Sequence, residues 1–162
     1  MSKSQQESSD GAPTGFAAPR LSVGVIGTGR AGSVLGAALA RAGHKVVAAY
    51  GVSDLSRLRA EALLPDVPLV TPEEVLAKAD LVLITVPDDV LSELVTGLSA
   101  TGAFRAGQFI AHASGRYGIE VLDPATRAGA LPLALHPAMT LTGTSLDLER
   151  ISGAPFGVTA PE

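Results

Sequence analysis

Val23-Gly24-Val25-Ile26-Gly27-Thr28-Gly29-Arg30-Ala31-Gly32 is the stretch on which the reading of this chain turns. An apolar run from Leu21 to Ile26 leads directly into glycines spaced G-x-G-x-x-G, and a helical apolar pattern follows from Arg30 to Ala42. A lone glycine motif says little in a chain with 18 glycines. Its seat between a buried strand and an amphipathic helix gives it content, because that seat brings bare backbone to a pyrophosphate. Gly27 permits the tight turn, Gly29 leaves room for phosphate, and Gly32 lets the helix pack on the strand. The helix start adds free N–H groups and a partial positive charge. Gly27, Thr28, Gly29, Arg30, Ala31 and Gly32 are therefore the predicted cofactor-binding turn. The alternative is a structural glycine turn that binds nothing.

Working outward, short apolar runs alternate with helical patterns, which is the signature of βαβ units. Strands are predicted at 21–26, 45–50, 68–70, 80–86, 109–113, 131–136 and 156–159. Helices are predicted at 30–42, 54–64, from Thr71 onward, 88–99 and 119–122. Thr71-Pro72-Glu73-Glu74 is a capping box with proline at the first helical position. Val34, Leu35, Ala38, Leu39 and Ala42 mark the expected inner face of the first helix. Val90, Leu91, Leu94, Val95 and Leu98 mark that of the 88–99 helix. The fold class implied is α/β: a doubly wound, mainly parallel sheet with helices on both faces, in the order 3-2-1-4-5-6. Residues 1–19 read as a disordered tail rich in Ser, Gln, Gly, Ala and Pro, and 20–162 as one domain.

Composition narrows the function. The 162 residues are 46% apolar, enough for a core without staples. A net charge of −4 without basic runs argues against a nucleic-acid surface. No run is long enough to span a membrane, and the N-terminus lacks a secretory layout, so a cytoplasmic location is the default. With no cysteine, thiol chemistry and cysteine metal sites are excluded. His44, His112 and His136 are too scattered for a metal site, and none is expected.

The choice of dinucleotide rests on the end of the second strand. NAD-binding turns usually carry an acid about 20 residues on, for the ribose hydroxyls. Residues 47–52 hold none, whereas Ser53 and Arg57 follow closely, with Arg59 and Arg30 as further cations. A hydroxyl and a guanidinium suit a 2′-phosphate, so NADP is expected over NAD. The alternative has Ser53 or Asp54 capping the helix and the arginines merely solvated.

Ligands in such sheets lie outside the carboxyl ends of the strands. Three more segments fall there. Val86 and Pro87 are expected to wall the ribose or nicotinamide, with Asp88 and Asp89 as helix cap and surface. Ser114, in His112-Ala113-Ser114-Gly115-Arg116, can present a hydroxyl to substrate oxygens or simply form a turn. His112 itself reads as a core histidine, and His44 as structural. His136, ahead of Pro137, is the candidate general acid for a carbonyl substrate, the alternative being a histidine bonded to nearby backbone.

Val23 to Gly32, Thr85-Val86-Pro87-Asp88, His112-Ala113-Ser114-Gly115 and Leu133-Ala134-Leu135-His136-Pro137-Ala138-Met139-Thr140 occur in that order. Together they resemble the bacterial Rossmann-like NAD(P)-dependent oxidoreductases. These are relatives of phosphogluconate dehydrogenase, pyrroline-5-carboxylate reductase, the ketopantoate reductases and the NADP-dependent deazaflavin oxidoreductases. The last segment is also similar to a His-Pro-Met segment of prephenate dehydrogenases, with Ala and Met in a different order. The resemblance covers Leu21 to the C-terminus. It implies a reductase or dehydrogenase acting on a small oxo or hydroxy acid, with ketopantoate one such substrate. It also implies a C-terminal helical domain that closes the site and forms a homodimer. That domain is absent from this sequence, so the chain is expected to bind cofactor and to catalyse poorly alone. The competing expectation is a nucleotide or redox sensor built on the same fold.

Overall fold

The computed structural model describes residues 18–162; residues 1–17 of the predicted tail lie outside the described residues. Strand β1 (Ser22–Ile26) runs into helix α1 (Arg30–Arg41), and β2 (Lys45–Tyr50) into α2 (Asp54–Leu63). Helix α3 (Pro72–Lys78), β3 (Leu81–Ile84), α4 (Asp88–Ala100) and β4 (Phe109–His112) follow. A 3₁₀ turn (Ile119–Leu122) leads into α5 (Asp123–Arg127), then β5 (Leu131–Pro137), α6 (Leu146–Ile151) and β6 (Phe156–Thr159).

The sheet order is β2-β1-β3-β4-β5-β6, parallel except for β6, which pairs antiparallel with β5. The predicted strand at 68–70 is reduced to one parallel bridge, Leu69 to Ala49, on the outer side of β2. Val70 N–H donates to the Ala49 carbonyl and Ala49 N–H to the Pro68 carbonyl, so the segment keeps the expected place in the order. Proline at 68 removes a donor from this edge, which limits its pairing.

Both sheet faces are covered, and the strand alternation sorts side chains between them. Val23, Val25, Leu81, Leu83 and Ala111 belong to the core under α1, α2 and α6. Ile26, Val82, Ile84 and Ile110 belong to the core under α3, α4 and α5. Val23, Val25, Ile26, Val82 and Ile110 are 0% exposed, and full burial of such a side chain contributes about 1.5–3 kcal/mol.

Two helices are buried differently from what their sequence patterns suggest. In α4 only Leu91, Val95 and Leu98 are buried, while Val90 is 42% exposed. The buried residues form an i, i+4, i+7 stripe, and Val90 sits one residue outside it. In α1 the buried stretch is Gly32 to Ala37, and Ala42 is exposed as the C-cap. Small residues at the helix start let that end, rather than the far end, approach the sheet.

The closest approach is at the glycine turn. A β-carbon on Gly32 would fall on the Gly27 carbonyl oxygen and the Thr85 hydroxyl. Gly27 itself has φ +102, and its β-carbon would lie 2.9 Å from the Thr85 carbonyl group. Thr85 Oγ1 donates to the Gly27 carbonyl at 2.8 Å, and Gly27 N–H donates to the Tyr50 carbonyl at 2.8 Å. Gly29, by contrast, has nothing among the described residues within 4 Å of where a β-carbon would stand.

Helix α6, which has no counterpart in the sequence reading, is fastened by Asp147. Its wholly buried carboxylate accepts from Thr142 N–H (2.7 Å), Gly143 N–H (2.8 Å) and Thr142 Oγ1 (3.0 Å). Burial pushes its pKa up, but the hydrogen bonds from Gly143 and Thr142 outweigh that and hold it below the ordinary value of 3.8.

Gly32→Ala is expected to destabilise the domain by about 1–3 kcal/mol through overpacking, whereas Gly29→Ala stays within about 0.5 kcal/mol of wild type. Urea denaturation checks both, and equal midpoints for the two variants would contradict the packing account. The depressed pKa of Asp147 gives stability that is present above the unfolded-state value and lost as pH falls through the lower native one. Thermal melts from about pH 6 down to about pH 2 should therefore show a shallower acid decline for Asp147→Asn than for wild type. Parallel declines would count against it.

Candidate functional site

The carboxyl ends of β1, β2, β3 and β4 and the start of α1 open on one side of the sheet, and three adjoining surfaces lie there. The central one is the glycine turn. Gly29 is the N-cap of α1 and provides no side-chain cap, and the N–H groups of Arg30, Ala31 and Gly32 have no partner among the described residues. Three bare donors at a helix start, beside the open face of Gly29, can receive the oxygens of a phosphate. Thr28 contributes backbone only: its side chain is wholly buried and donates to the Ser56 carbonyl at 2.8 Å. Arg30 is exposed at the first position of the helix.

To one side, beyond β2, is a groove of about 460 Å³ lined by Tyr50, Gly51, Arg57, Leu69, Thr71 and Glu74, among others. Arg57 Nε donates to the Gly51 carbonyl at 3.4 Å, and the rest of its guanidinium has no partner among the described residues. Ser53 stands at the N-cap of α2, where its Oγ accepts from Ser56 N–H at 3.1 Å and the Ser56 hydroxyl reciprocates. Its hydroxyl is thus committed to the helix start, as the capping alternative has it. The groove also holds an acid that sequence reasoning missed. Glu74 comes from α3 rather than from the end of β2, and its carboxylate accepts from Thr71 Oγ1 at 3.2 Å. The capping-box reading had accounted for Glu74, so nothing marked it as a groove residue.

On the other side, beyond the carboxyl ends of β3 and β4 and against the start of α1, is a crevice of about 150 Å³. Ala31, Thr85, Val86, Asp88, Ala113 and Ser114 are among its lining residues. It adjoins the point between β1 and β3 where the strand order reverses, the position at which doubly wound sheets hold ligands. Val86 and Ser114 meet here. Pro87 lies outside the lining, exposed at the N-cap of α4. Asp88 makes no capping bond and, half-buried, is among the residues that line the crevice, a second group that the sequence reading had placed elsewhere.

Ser114 Oγ accepts from Arg116 N–H (3.0 Å) and Tyr117 N–H (3.3 Å), so its own proton is available for donation. Ser114 N–H donates to His112 Nδ1 at 3.1 Å, which leaves the His112 proton on Nε2, 2.7 Å from the Gly118 carbonyl. His112 is buried and fully used in bracing this loop. His44 is likewise structural, its Nδ1 accepting from Leu21 N–H at 3.0 Å. His136 is exposed at the end of β5, and its ring lies over Gly115. A β-carbon on Gly115 would sit 2.8 Å from His136 Cε1. His136 Nδ1 is 3.4 Å from the Ala113 carbonyl. Ser114 and His136 are therefore neighbours across one glycine, with no bond between their side chains.

A larger apolar hollow of about 470 Å³ lies along the flank of α1, lined mainly by aliphatic residues such as Leu35, Leu39, Leu135, Leu148 and Ile151. It has none of the convergent donors found at the glycine turn. No helix among the described residues is long and apolar enough to cross a membrane.

Comparison with solved structures finds the same fold. Mycobacterium tuberculosis 3-hydroxyisobutyrate dehydrogenase superposes with a TM-score of 0.68 at 22% identity, over 89% of this chain and 48% of that one. A Bacteroides fragilis protein assigned as an NADP oxidoreductase gives 0.66 at 21% identity, over 88% and 52%. An imine reductase variant from Myxococcus stipitatus, solved with NAD⁺, gives 0.61 at 22% identity, over 75% and 42%. The chain spans about half the length of these structures. No curated protein matches it. The model of the Rossmann-like domain matches residues 3–137. With the sheet order, the glycine turn and the switch-point crevice in place, the chain belongs to the Rossmann-like domain family.

Proposed function

We propose that this chain is the cofactor-binding domain of a reductase or dehydrogenase that uses NADP and acts on a small oxo or hydroxy acid. The observation that carries the reading is the open face of Gly29 beside the three unpartnered N–H groups of α1. The residues fit a dinucleotide: bare backbone for a pyrophosphate, a groove with a guanidinium on one side, and a crevice with a hydroxyl on the other. Likeness of fold does not by itself specify an activity, so the proposal rests on these groups.

In this reading Gly27–Gly32 hold the pyrophosphate, and Arg57 meets a 2′-phosphate from the β2 groove. Ser53 acts through the helix start that it caps. Glu74 in the same groove suits ribose hydroxyls, so the balance between NADP and NAD turns on Arg57 against Glu74. Val86 walls the nicotinamide side, and Pro87 fixes the turn outside it from which α4 starts. The bound dinucleotide supplies the hydride. Ser114 donates a hydrogen bond to a substrate oxygen, and His136 gives that oxygen its proton from beyond Gly115. Ser114 lines the crevice and His136 stands exposed just beyond it, so the chain alone leaves the reacting face open to water. A partner surface, such as a helical domain shared in a homodimer, would close it.

Titration of the purified chain with NADPH and NADH, followed by nicotinamide fluorescence, tests the cofactor. NADPH is expected to bind more tightly, and Arg57→Gln to weaken it about tenfold while sparing NADH. Failure of both nucleotides to bind below about millimolar concentration would overturn the proposal. For the chemistry, NADPH consumption is measured with a panel of small 2-oxo acids. His136→Asn should cut whatever turnover is found by about a hundredfold without changing NADPH affinity. Tight binding with Ser114→Ala and His136→Asn both silent would favour a sensor instead.

A further inference from the structure

Asp147 is a wholly buried carboxylate that the cofactor reading does not use. A buried charge is expensive unless its surroundings are arranged for it. Here the arrangement is a single loop: the donors are Thr142 N–H, Thr142 Oγ1 and Gly143 N–H, with Arg150 Nη1 3.7 Å away at the rim. These bonds fold residues 142–145 into a tight strap, with Gly143 at φ +82 and Thr142 Oγ1 3.0 Å from Thr144 Oγ1.

The outer side of the strap meets two cations. A β-carbon on Gly143 would lie 3.0 Å from Arg59 Nε and 3.1 Å from both Cα and Cγ of Arg30. Arg30 begins α1 beside the bare N–H groups, and Arg59 projects from α2. Among the described residues neither arginine has a carboxylate partner, the one ion pair being Arg150 with Asp147. The guanidinium of Arg59 and the backbone and side-chain stem of Arg30 thus meet at a glycine held in place by a buried acid, next to the helix start, and neither arginine has a counter-ion among the described residues.

We propose that Asp147 is a positioning residue for phosphate binding. By folding residues 142–145 around itself, it seats Gly143 between Arg30 and Arg59 and makes those cations a clamp for the phosphates of the adenosine half. This rests on the reading of Gly27–Gly32 as a dinucleotide turn, and it adds a wall contributed by the chain beyond β5. The strap continues from Pro137 through Leu141, so the clamp is built on the segment that carries His136.

NADPH affinity is measured by nicotinamide fluorescence for wild type, Asp147→Asn, Arg30→Gln/Arg59→Gln and the triple variant, with circular dichroism reporting the fold. Asp147→Asn is expected to weaken NADPH about tenfold, the scale of a displaced charge-assisted contact. In the background lacking both arginines it should cause no further loss, because its effect passes through them. A purely structural Asp147 gives a lower melting temperature with unchanged affinity, or a loss that multiplies with that of the arginines, and either result overturns the proposal. Should Asp147→Asn fail to fold, Gly143→Ala takes its place: it keeps the acid and sets a methyl between the arginines. Wild-type affinity in Gly143→Ala overturns the proposal equally. Wild type that binds neither NADPH nor NADH removes the dinucleotide reading and this inference together, whereas normal wild-type binding with a silent Asp147→Asn removes this inference alone.

Discussion

A helix can begin directly over the end of a strand only if nothing stands between the two backbones. At Gly32 nothing does, and the hydroxyl of Thr85 occupies the remaining space by bonding the Gly27 carbonyl. That contact fixes three things at once: the height of α1 above the sheet, the direction of its first N–H groups, and the join between the ends of β1 and β3. The crevice at the switch point follows from it, because Ala31 and Thr85 are two of its walls. A side chain at position 32 would lift the helix, and the donors would no longer point into the space beside Gly29.

From this contact the candidate site extends in both directions along the strand ends. The β2 groove offers a cation and an acid, while the crevice offers a carboxylate and a hydroxyl, with an imidazole just beyond it. The polar groups are braced from behind. His112 spends both ring nitrogens on the loop that presents Ser114, and Ser56 spends its hydroxyl on the start of α2. Side chains so engaged have few alternative rotamers, which is the condition for holding functional groups in a fixed relation.

Most of the sheet was legible because its signals are local. Buried parallel strands read as short apolar runs, and the glycine turn announces itself within six residues. Capping chemistry was legible for the same reason at Thr71, and at Ser53 as one of two readings. What escaped depends on tertiary contact. Helix α6 has only six residues, and besides burying Leu148 and Ile151 it is fastened by an acid reaching back to a loop that carries no apolar pattern. Glu74 enters the β2 groove from another helix, so no fixed spacing from the glycines could reveal it. Asp88 looked like a cap until the backbone placed Pro87 at that position. The strand at 68–70 kept its place but lost most of its ladder to a proline.

The burial of Thr28 bears on how a ligand would arrive. Its hydroxyl is locked to the Ser56 carbonyl inside the protein, so the middle of the glycine turn is anchored at a second point, on α2, besides the bond from Thr85. The loop has little freedom left to lose. Its ordering entropy is charged to folding, so association with a dinucleotide should resemble docking onto a rigid template, with a single fast phase and a small entropic penalty. A mobile glycine loop would reach the same complex more slowly, by closing around the ligand after first contact.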